Sequence, residues 1–229
     1  MSNTLASPTM GFQSFGRAEG GSPTAGLTGV WIASTDAGLL FRGDPCVTSS
    51  NGGTNNSGAY ITSLNTNSFT GGGVLVRGIF QGCYQYQPSV QRVVWSNFYN
   101  GSVTGSTQDI KAYVIDDPDQ QFIVQASTKA TITSSYVGLN ISVTANTTTG
   151  NTLTGYSNVT VESTSTTNAS SYPFRIVDFY SADAPPGGLQ GPAIGTNAFV
   201  NGTDNTSVAN ILIVRLNNCD RLNLTARSS

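Results

Sequence analysis

In residues 113–126, YVIDDPDQQFIVQA, three carboxylates and a proline separate two short apolar runs. Both runs are rich in β-branched and aromatic residues, the composition of β-strands. Pro118 suits the second position of a turn, and Asp side chains favour turn starts by bonding their own backbone. The pattern predicts two strands joined by a hairpin, with its turn at Asp116–Asp119.

Asp116, Asp117 and Asp119 could instead form an acidic site. A glycosidase needs two carboxylates facing one substrate, with the pKa of one raised by burial. Neighbouring residues at a solvated turn offer neither that geometry nor that burial. A calcium site would need more oxygen ligands than these three. The turn interpretation is therefore favoured over a cation site, and both over catalysis.

Similar strand-like runs occur along the chain between clusters of Gly, Asn, Ser and Pro, and no window shows helical apolar spacing. The sequence predicts an all-β fold: an antiparallel β-sandwich or barrel of about ten short strands. An extended N-terminal arm is expected over 1–26, and a β-rich domain over 27–229 with a long loop at 181–207. The predicted strands are 29–34, 59–64, 73–87, 91–99, 111–115, 121–126, 138–145, 158–163, 173–180 and 209–217.

Charge and composition exclude several classes of function. Ten Lys and Arg residues and a net charge of −2 cannot form the basic surface that nucleic acid or a membrane surface requires. No apolar run approaches a membrane span, and no signal peptide is recognisable. Without histidine, most zinc sites and the usual base for a Ser or Cys nucleophile are missing. We therefore expect no enzyme activity and no cofactor.

The three cysteines, Cys46, Cys83 and Cys219, are far apart in the sequence and form no CxxC motif. We expect reduced, mostly buried thiols; one disulfide with a free thiol is the alternative.

Clustered aromatic residues offer a candidate platform for a sugar or for single-stranded nucleic acid. In an all-β chain, however, aromatic residues at strand spacing more often pack across strands or in the core. The residues concerned are Tyr84, Tyr86, Trp95, Phe98 and Tyr99.

Several segments, taken in order, resemble the capsid decoration or cement proteins of tailed bacteriophages. The resemblance spans roughly residues 39–218, and the sequence departs from it by the loop at 181–207 and by having no histidine near the C-terminus. The matching segments are FRGDPC (41–46), GIFQGCYQY (78–86), VVWSNFY (93–99), KAYVIDDPDQQFIVQA (111–126), GLNIS (138–142), TGYS (154–157), PFRIVDF (173–179) and ANILIVRLNN (209–218).

The resemblance implies a structural protein of the virion, made in the host cytoplasm and docked on the outer surface of the capsid. Its partner would be the major capsid protein, and it would be a homo-oligomer, with a trimer favoured and a dimer possible. An arm that becomes ordered on the shell could add strands to neighbouring subunits. Phe12, Phe15 and Arg17 are the candidate capsid-binding residues, because large side chains in a polar segment have no local core. The alternative is that they pack on their own domain.

Two other classes remain open from the sequence. A tail adhesin that recognises surface glycans is the main alternative, supported by the Ser-, Thr- and Asn-rich loops with their aromatic residues. A glycan hydrolase dependent on Asp117 is the weaker one.

Overall fold

The structure is a computed structural model that describes residues 11–18, 26–49, 58–64, 75–87, 89–101, 108–144, 150–168, 170–180 and 210–222. These residues are nearly all in β-strands, which confirms the predicted fold class. A 3₁₀ turn at Ser134–Tyr136 is the helical element of the described residues. The strands are β1 (Gln13–Arg17), β2 (Leu27–Ile32), β3 (Leu39–Phe41), β4 (Pro45–Thr48), β5 (Ile61–Ser63), β6 (Val76–Gln87), β7 (Arg92–Ser96), β8 (Phe98–Asn100), β9 (Ile110–Ile115), β10 (Gln120–Gln125), β11 (Asn140–Val143), β12 (Gly150–Asn151), β13 (Tyr156–Ser157), β14 (Val161–Thr167), β15 (Phe174–Phe179) and β16 (Ile211–Leu216).

The N-terminal sheet has the strand order β2-β9-β6-β4-β5, and β7 pairs with the far end of the long strand β6. Its two ends meet: Trp31 and Tyr60 form a bridge, and the Trp31 N–H donates to the Ala59 carbonyl at 2.9 Å. The strands therefore surround one core. Its members are Val30, Ile32, Leu40, Cys46, Ile61, Phe80, Cys83, Tyr99, Ile110, Ala112 and Val114.

The C-terminal sheet has the strand order β1-β10-β16-β15-β11-β14, and all its strand pairs are antiparallel. Alternation places Leu212, Val214 and Leu216 of β16 in the core, as the period-2 pattern of the sequence predicts. This second core also contains Val76, Ile79 and Ile115 from the N-terminal sheet. The two sheets therefore bury one apolar layer between them.

The prediction of a hairpin at residues 116–119 is wrong, because β9 belongs to the N-terminal sheet and β10 to the C-terminal sheet. The turn itself is present: Gln120 N–H donates to the Asp117 carbonyl at 3.1 Å, and Asp119 N–H to the Asp117 side chain at 3.0 Å. The turn passes the chain from one sheet to the other instead of reversing it within one.

Part of the segment predicted to be an arm belongs to the domain. β1 pairs with β10 from Gln13 opposite Ile123 to Arg17 opposite Gln120, and Phe12 N–H donates to the Gly43 carbonyl at 2.9 Å. Residues 1–10 and 19–25, like the predicted loop at 181–207, lie outside the described residues.

Candidate interaction surface

The outer side of the N-terminal sheet carries a row of large side chains, which we call the aromatic face: Trp31, Tyr84, Trp95, Lys111 and Tyr113. They lie on four adjacent strands, because Trp31 is opposite Lys111, Lys111 is opposite Tyr84, and Tyr84 is opposite Trp95. Directly opposite residues of antiparallel strands share one side of the sheet. Strand register thus assembles the face from residues up to 82 positions apart in the sequence.

The rings of the aromatic face contact one another edge to face or tilted rather than in a flat stack. The Tyr84 and Trp95 ring centroids are 5.2 Å apart at 76°, and those of Trp95 and Tyr113 are 5.7 Å apart at 46°. Lys111 Nζ lies 4.5 Å from the centroid of the Trp31 ring, a cation–π distance. These contacts orient the side chains, although Tyr84 and Trp95 remain 45% and 43% exposed.

Two glycines make room for this face. A Cβ on Gly82 would lie 2.4 Å from the Trp95 ring, and a Cβ on Gly29 would lie 2.9 Å from the Lys111 side chain. Gly82 also has φ +147°, a conformation that residues with a Cβ rarely adopt. Because these positions have no Cβ, the side chains of Trp95 and Lys111 can pack closely against the backbone of the sheet.

The hairpin formed by β6 and β7 extends the apolar surface beyond the closed part of the sheet. Tyr86 lies opposite Val93 on the same side as the Tyr84–Trp95 pair. Val93 is 61% exposed, and Tyr86 and Val90 are also exposed. Large apolar side chains concentrated on one projecting hairpin are typical of a contact site rather than of scattered surface residues.

The structure divides the aromatic cluster identified in the sequence. Tyr84, Tyr86 and Trp95 lie together on the hairpin, where Tyr84 and Trp95 form a cross-strand pair as expected, but all three side chains are exposed. Tyr99 is buried, and its hydroxyl donates to the Asp36 carbonyl at 2.6 Å. Phe98 stacks on Phe41 with centroids 5.8 Å apart, away from the aromatic face.

Local sequence does not identify three members of the face, because only strand register brings them there: Trp31, Lys111 and Tyr113. Each has period-2 spacing within its own strand, which predicts a side of the sheet but not the neighbours across it.

Two of the three carboxylates of the turn, those of Asp116 and Asp117, have separate structural roles. Asp116 is only 2% exposed, which corrects the expectation of a solvated turn. It accepts hydrogen bonds from Thr28 at 2.7 Å and forms ion pairs with Arg77 at 3.0 Å and Arg221 at 3.3 Å. Asp116 thus links three distant segments through a buried ion pair with Arg77 and a more exposed one with Arg221.

Asp117 pairs with Arg17 at 3.4 Å and accepts the Asp119 N–H, so it fixes the turn and the end of β1. Among the described residues, no group of three or more His, Cys, Asp or Glu side chains is arranged to hold a metal ion.

A second buried carboxylate, Asp44, links the turn between β3 and β4 to Ser157 in the distant strand β13. Its Oδ2 accepts the Phe41 N–H at 2.7 Å, and its Oδ1 bonds the Ser157 hydroxyl, which itself accepts the Val159 N–H at 2.9 Å. Burial raises the pKa of Asp44 to about 7, although the bonds from Ser157 and Phe41 lower it. The carboxyl is enclosed by protein, so its role is structural.

The three cysteines are free and buried, as predicted. Burial raises the pKa of the Cys83 thiol to about 12 and raises that of Cys46 further above its ordinary value. Thiols held protonated and enclosed are poor nucleophiles.

The three candidate capsid-binding residues have different environments. Phe12 is buried in the second core, with its ring centroid 4.4 Å from that of Phe174, so a partner cannot reach it in this conformation. Phe15 is 42% exposed and contacts Tyr180 edge to face at 5.6 Å. Arg17 pairs with Asp117. For Phe12 the alternative of packing on its own domain is the correct one.

No family model, curated protein or solved structure matches this chain. Within the described residues, no helix has the length and apolar character needed to cross a membrane.

Proposed function

We propose that this chain is a non-enzymatic structural protein of a bacteriophage virion that binds the outer surface of the head and joins neighbouring subunits of the major capsid protein. The ordered series of segments that resembles capsid decoration proteins supports the proposal. The structural observation that carries it is the aromatic face with its hairpin, where Tyr84, Tyr86, Val93 and Trp95 are exposed on one side of two paired strands.

An apolar contact of this kind suits a protein that must hold a shell together. Burial of apolar surface contributes about 25 cal/mol per Å² and is little affected by salt. The chain has too few charges for an extensive network of surface ion pairs. Many identical contacts on a symmetric shell would add through avidity, even if each were modest, and would oppose outward pressure from packaged DNA.

The experiment measures binding of the purified chain to expanded capsids that lack it, and then the melting temperature of the same capsids. Trp95→Ala and Tyr84→Ala should weaken binding by at least about tenfold each, because Trp and Tyr are enriched among the few interface residues whose truncation costs most. Leu153→Ala is the matched control, because Leu153 is 95% exposed but lies on the β12–β13 turn, outside the aromatic face.

Saturating, symmetry-consistent binding that raises the capsid melting temperature and resists a several-fold increase in salt would support the proposal. Release of the protein by that salt increase, or absence of binding by the unmodified chain, would refute it.

A second function has specific support from the same surface: a tail adhesin that binds surface glycans. Exposed rings can stack on the apolar faces of sugars, and Tyr84 and Trp95 present two of them beside the half-buried Tyr113. Reproducible hits on a glycan array that disappear in Trp95→Ala, together with absence of capsid binding, would favour the adhesin over the cement.

A further inference from the structure

The strand edges of the two large sheets are protected in different ways. The ends of the N-terminal sheet meet at the Trp31–Tyr60 bridge, and β10 and β14 meet at the Ala126–Val161 bridge. β1 has an irregular register between Ser14 and Gly16, and such bulges hinder pairing with a further strand.

The outer edge of β7 has none of these protections. β7 pairs with β6 through five consecutive positions without a register shift, and within the described residues no strand pairs with its other edge. Its sequence, RVVWS, contains no proline and one charge, and its residues are exposed or half-buried. A regular, mostly apolar free edge is a template for pairing with another strand.

We propose that β7 pairs in antiparallel register with β7 of a second copy of this chain, about a two-fold axis at Val94. Val94 then lies opposite Val94 of the second copy, Val93 opposite Trp95, and Arg92 opposite Ser96. This register uses all five residues of the strand, and it closes at two copies because the same edge is used by both.

The side chains favour a second copy as the occupant of this edge. The single charge of β7, on Arg92, faces the neutral Ser96, so the pairing brings no like charges together. On the outer side the branched Val93 packs beside the exposed Trp95 ring, the kind of cross-strand pair that stabilises sheets.

A two-fold axis perpendicular to the sheet leaves both aromatic faces on the same side. The dimer would thus present one apolar surface of double size, which deepens the proposed function by defining the unit that docks. Of the two oligomers that the resemblance allows, it favours the dimer over the trimer. The pairing itself does not require the proposed function to be right.

The test introduces charged side chains at Val94, the residue on the proposed two-fold axis. Val94 is half-buried, and Val94→Lys or Val94→Glu would place like charges directly opposite each other in a dimer. Each variant alone should weaken dimerisation of the full chain by at least about tenfold, and an equimolar mixture of the two should restore it as a heterodimer. Val90→Lys is the control, because Val90 is on the same hairpin but outside the paired strand.

Sedimentation velocity over a hundredfold range of concentration measures the mass against the 23.8 kDa chain. Circular dichroism checks that each variant is folded. A wild-type chain that is monomeric throughout, or a dimer that persists in Val94→Lys, would overturn the proposal.

A cross-link tests the register independently. Because the native cysteines are buried, Val94→Cys introduces an accessible thiol that should form a disulfide with its copy under mild oxidation. Arg92→Cys should not, since two copies of residue 92 lie on the order of 13 Å apart in this register. Cross-linking of Arg92→Cys but not Val94→Cys would overturn it. A wild-type chain that stays monomeric yet binds capsids defeats this inference alone, whereas a wild-type dimer that does not bind capsids defeats the proposed function.

Discussion

Replacing the buried Asp44 with Asn should make the protein less sensitive to pH. Asp44 is 2% exposed, and desolvation raises its pKa to about 7 in the folded state, against 3.8 for the unperturbed group. Between these values the folded chain binds a proton that the unfolded chain has lost. The free energy of unfolding must therefore fall as the pH rises through this window.

The size of the effect follows from the difference between the two pKa values. At about 1.4 kcal/mol per pKa unit, a change from 3.8 to about 7 corresponds to roughly 4 kcal/mol of stability lost by pH 8. Asn removes the charge and keeps the shape: its amide can donate to the Ser157 hydroxyl while its oxygen accepts the Phe41 N–H, as Asp44 does. We expect the stability of Asp44→Asn relative to wild type to increase by up to about 4 kcal/mol from pH 4 to pH 8 and to level off above pH 7.

Urea unfolding of both proteins at several pH values, followed by circular dichroism, measures this difference. Groups common to the two chains cancel in the comparison, and the exposed Asp178→Asn is the control for loss of a carboxylate as such. A difference between Asp44→Asn and wild type that does not change with pH would refute the reasoning.

Four further substitutions test the packing and the buried ion pair. Phe12→Ala should lower the free energy of unfolding by about 3–5 kcal/mol, because the ring is buried against Phe174, whereas Phe15→Ala should cost under about 1 kcal/mol; equal costs in urea titrations would contradict this placement. Asp116→Ala leaves the Arg77 guanidinium without its buried partner and should cost about 3–5 kcal/mol by the same measurement; a change below 1 kcal/mol would argue against a buried ion pair. Gly82→Ala should destabilise by more than about 1 kcal/mol and change the tryptophan fluorescence, and a neutral effect on both would contradict the close approach of the Trp95 ring.

The existence of most strands could be predicted from sequence, because alternation and β-branched residues are local properties. All ten predicted segments contain a strand, although the segment 91–99 is divided into β7 and β8 at Asn97. The strands that were missed, such as β3 and β12, are two to four residues long or, like β1, lie in a polar segment. Short strands carry too few residues for a periodic signal, and their neighbours hold them in place.

Strand partners could not be predicted, and the acidic turn shows why. A hairpin and a crossing between sheets use the same turn residues, so local sequence cannot separate them. What distinguishes them here is Asp116, whose partners Arg77 and Arg221 lie 39 and 105 residues away. The same limit explains Phe12: its neighbour Phe174 comes from the other end of the domain, and only the completed sheet supplies a core for it.

The aromatic face also depends on contacts between residues that are distant in the sequence. Along β6, the surroundings of the side chains change from one end of the strand to the other. From Val76 to Cys83 this strand has mostly buried residues and forms part of both cores, whereas from Tyr84 to Gln87 it becomes exposed. Within β6, apolar and polar residues alternate strictly only from Tyr84 to Gln87, and a register shift between Phe80 and Gly82 leaves Cys83 facing the core while Tyr84 lies on the outer side. Tyr84 still pairs with Lys111 of β9, but beyond it β6 pairs only with β7 among the described residues. Apolar side chains that continue beyond the residues able to cover them form a surface suited to contact with a partner. This is the physical reason to look for the partner at this hairpin first.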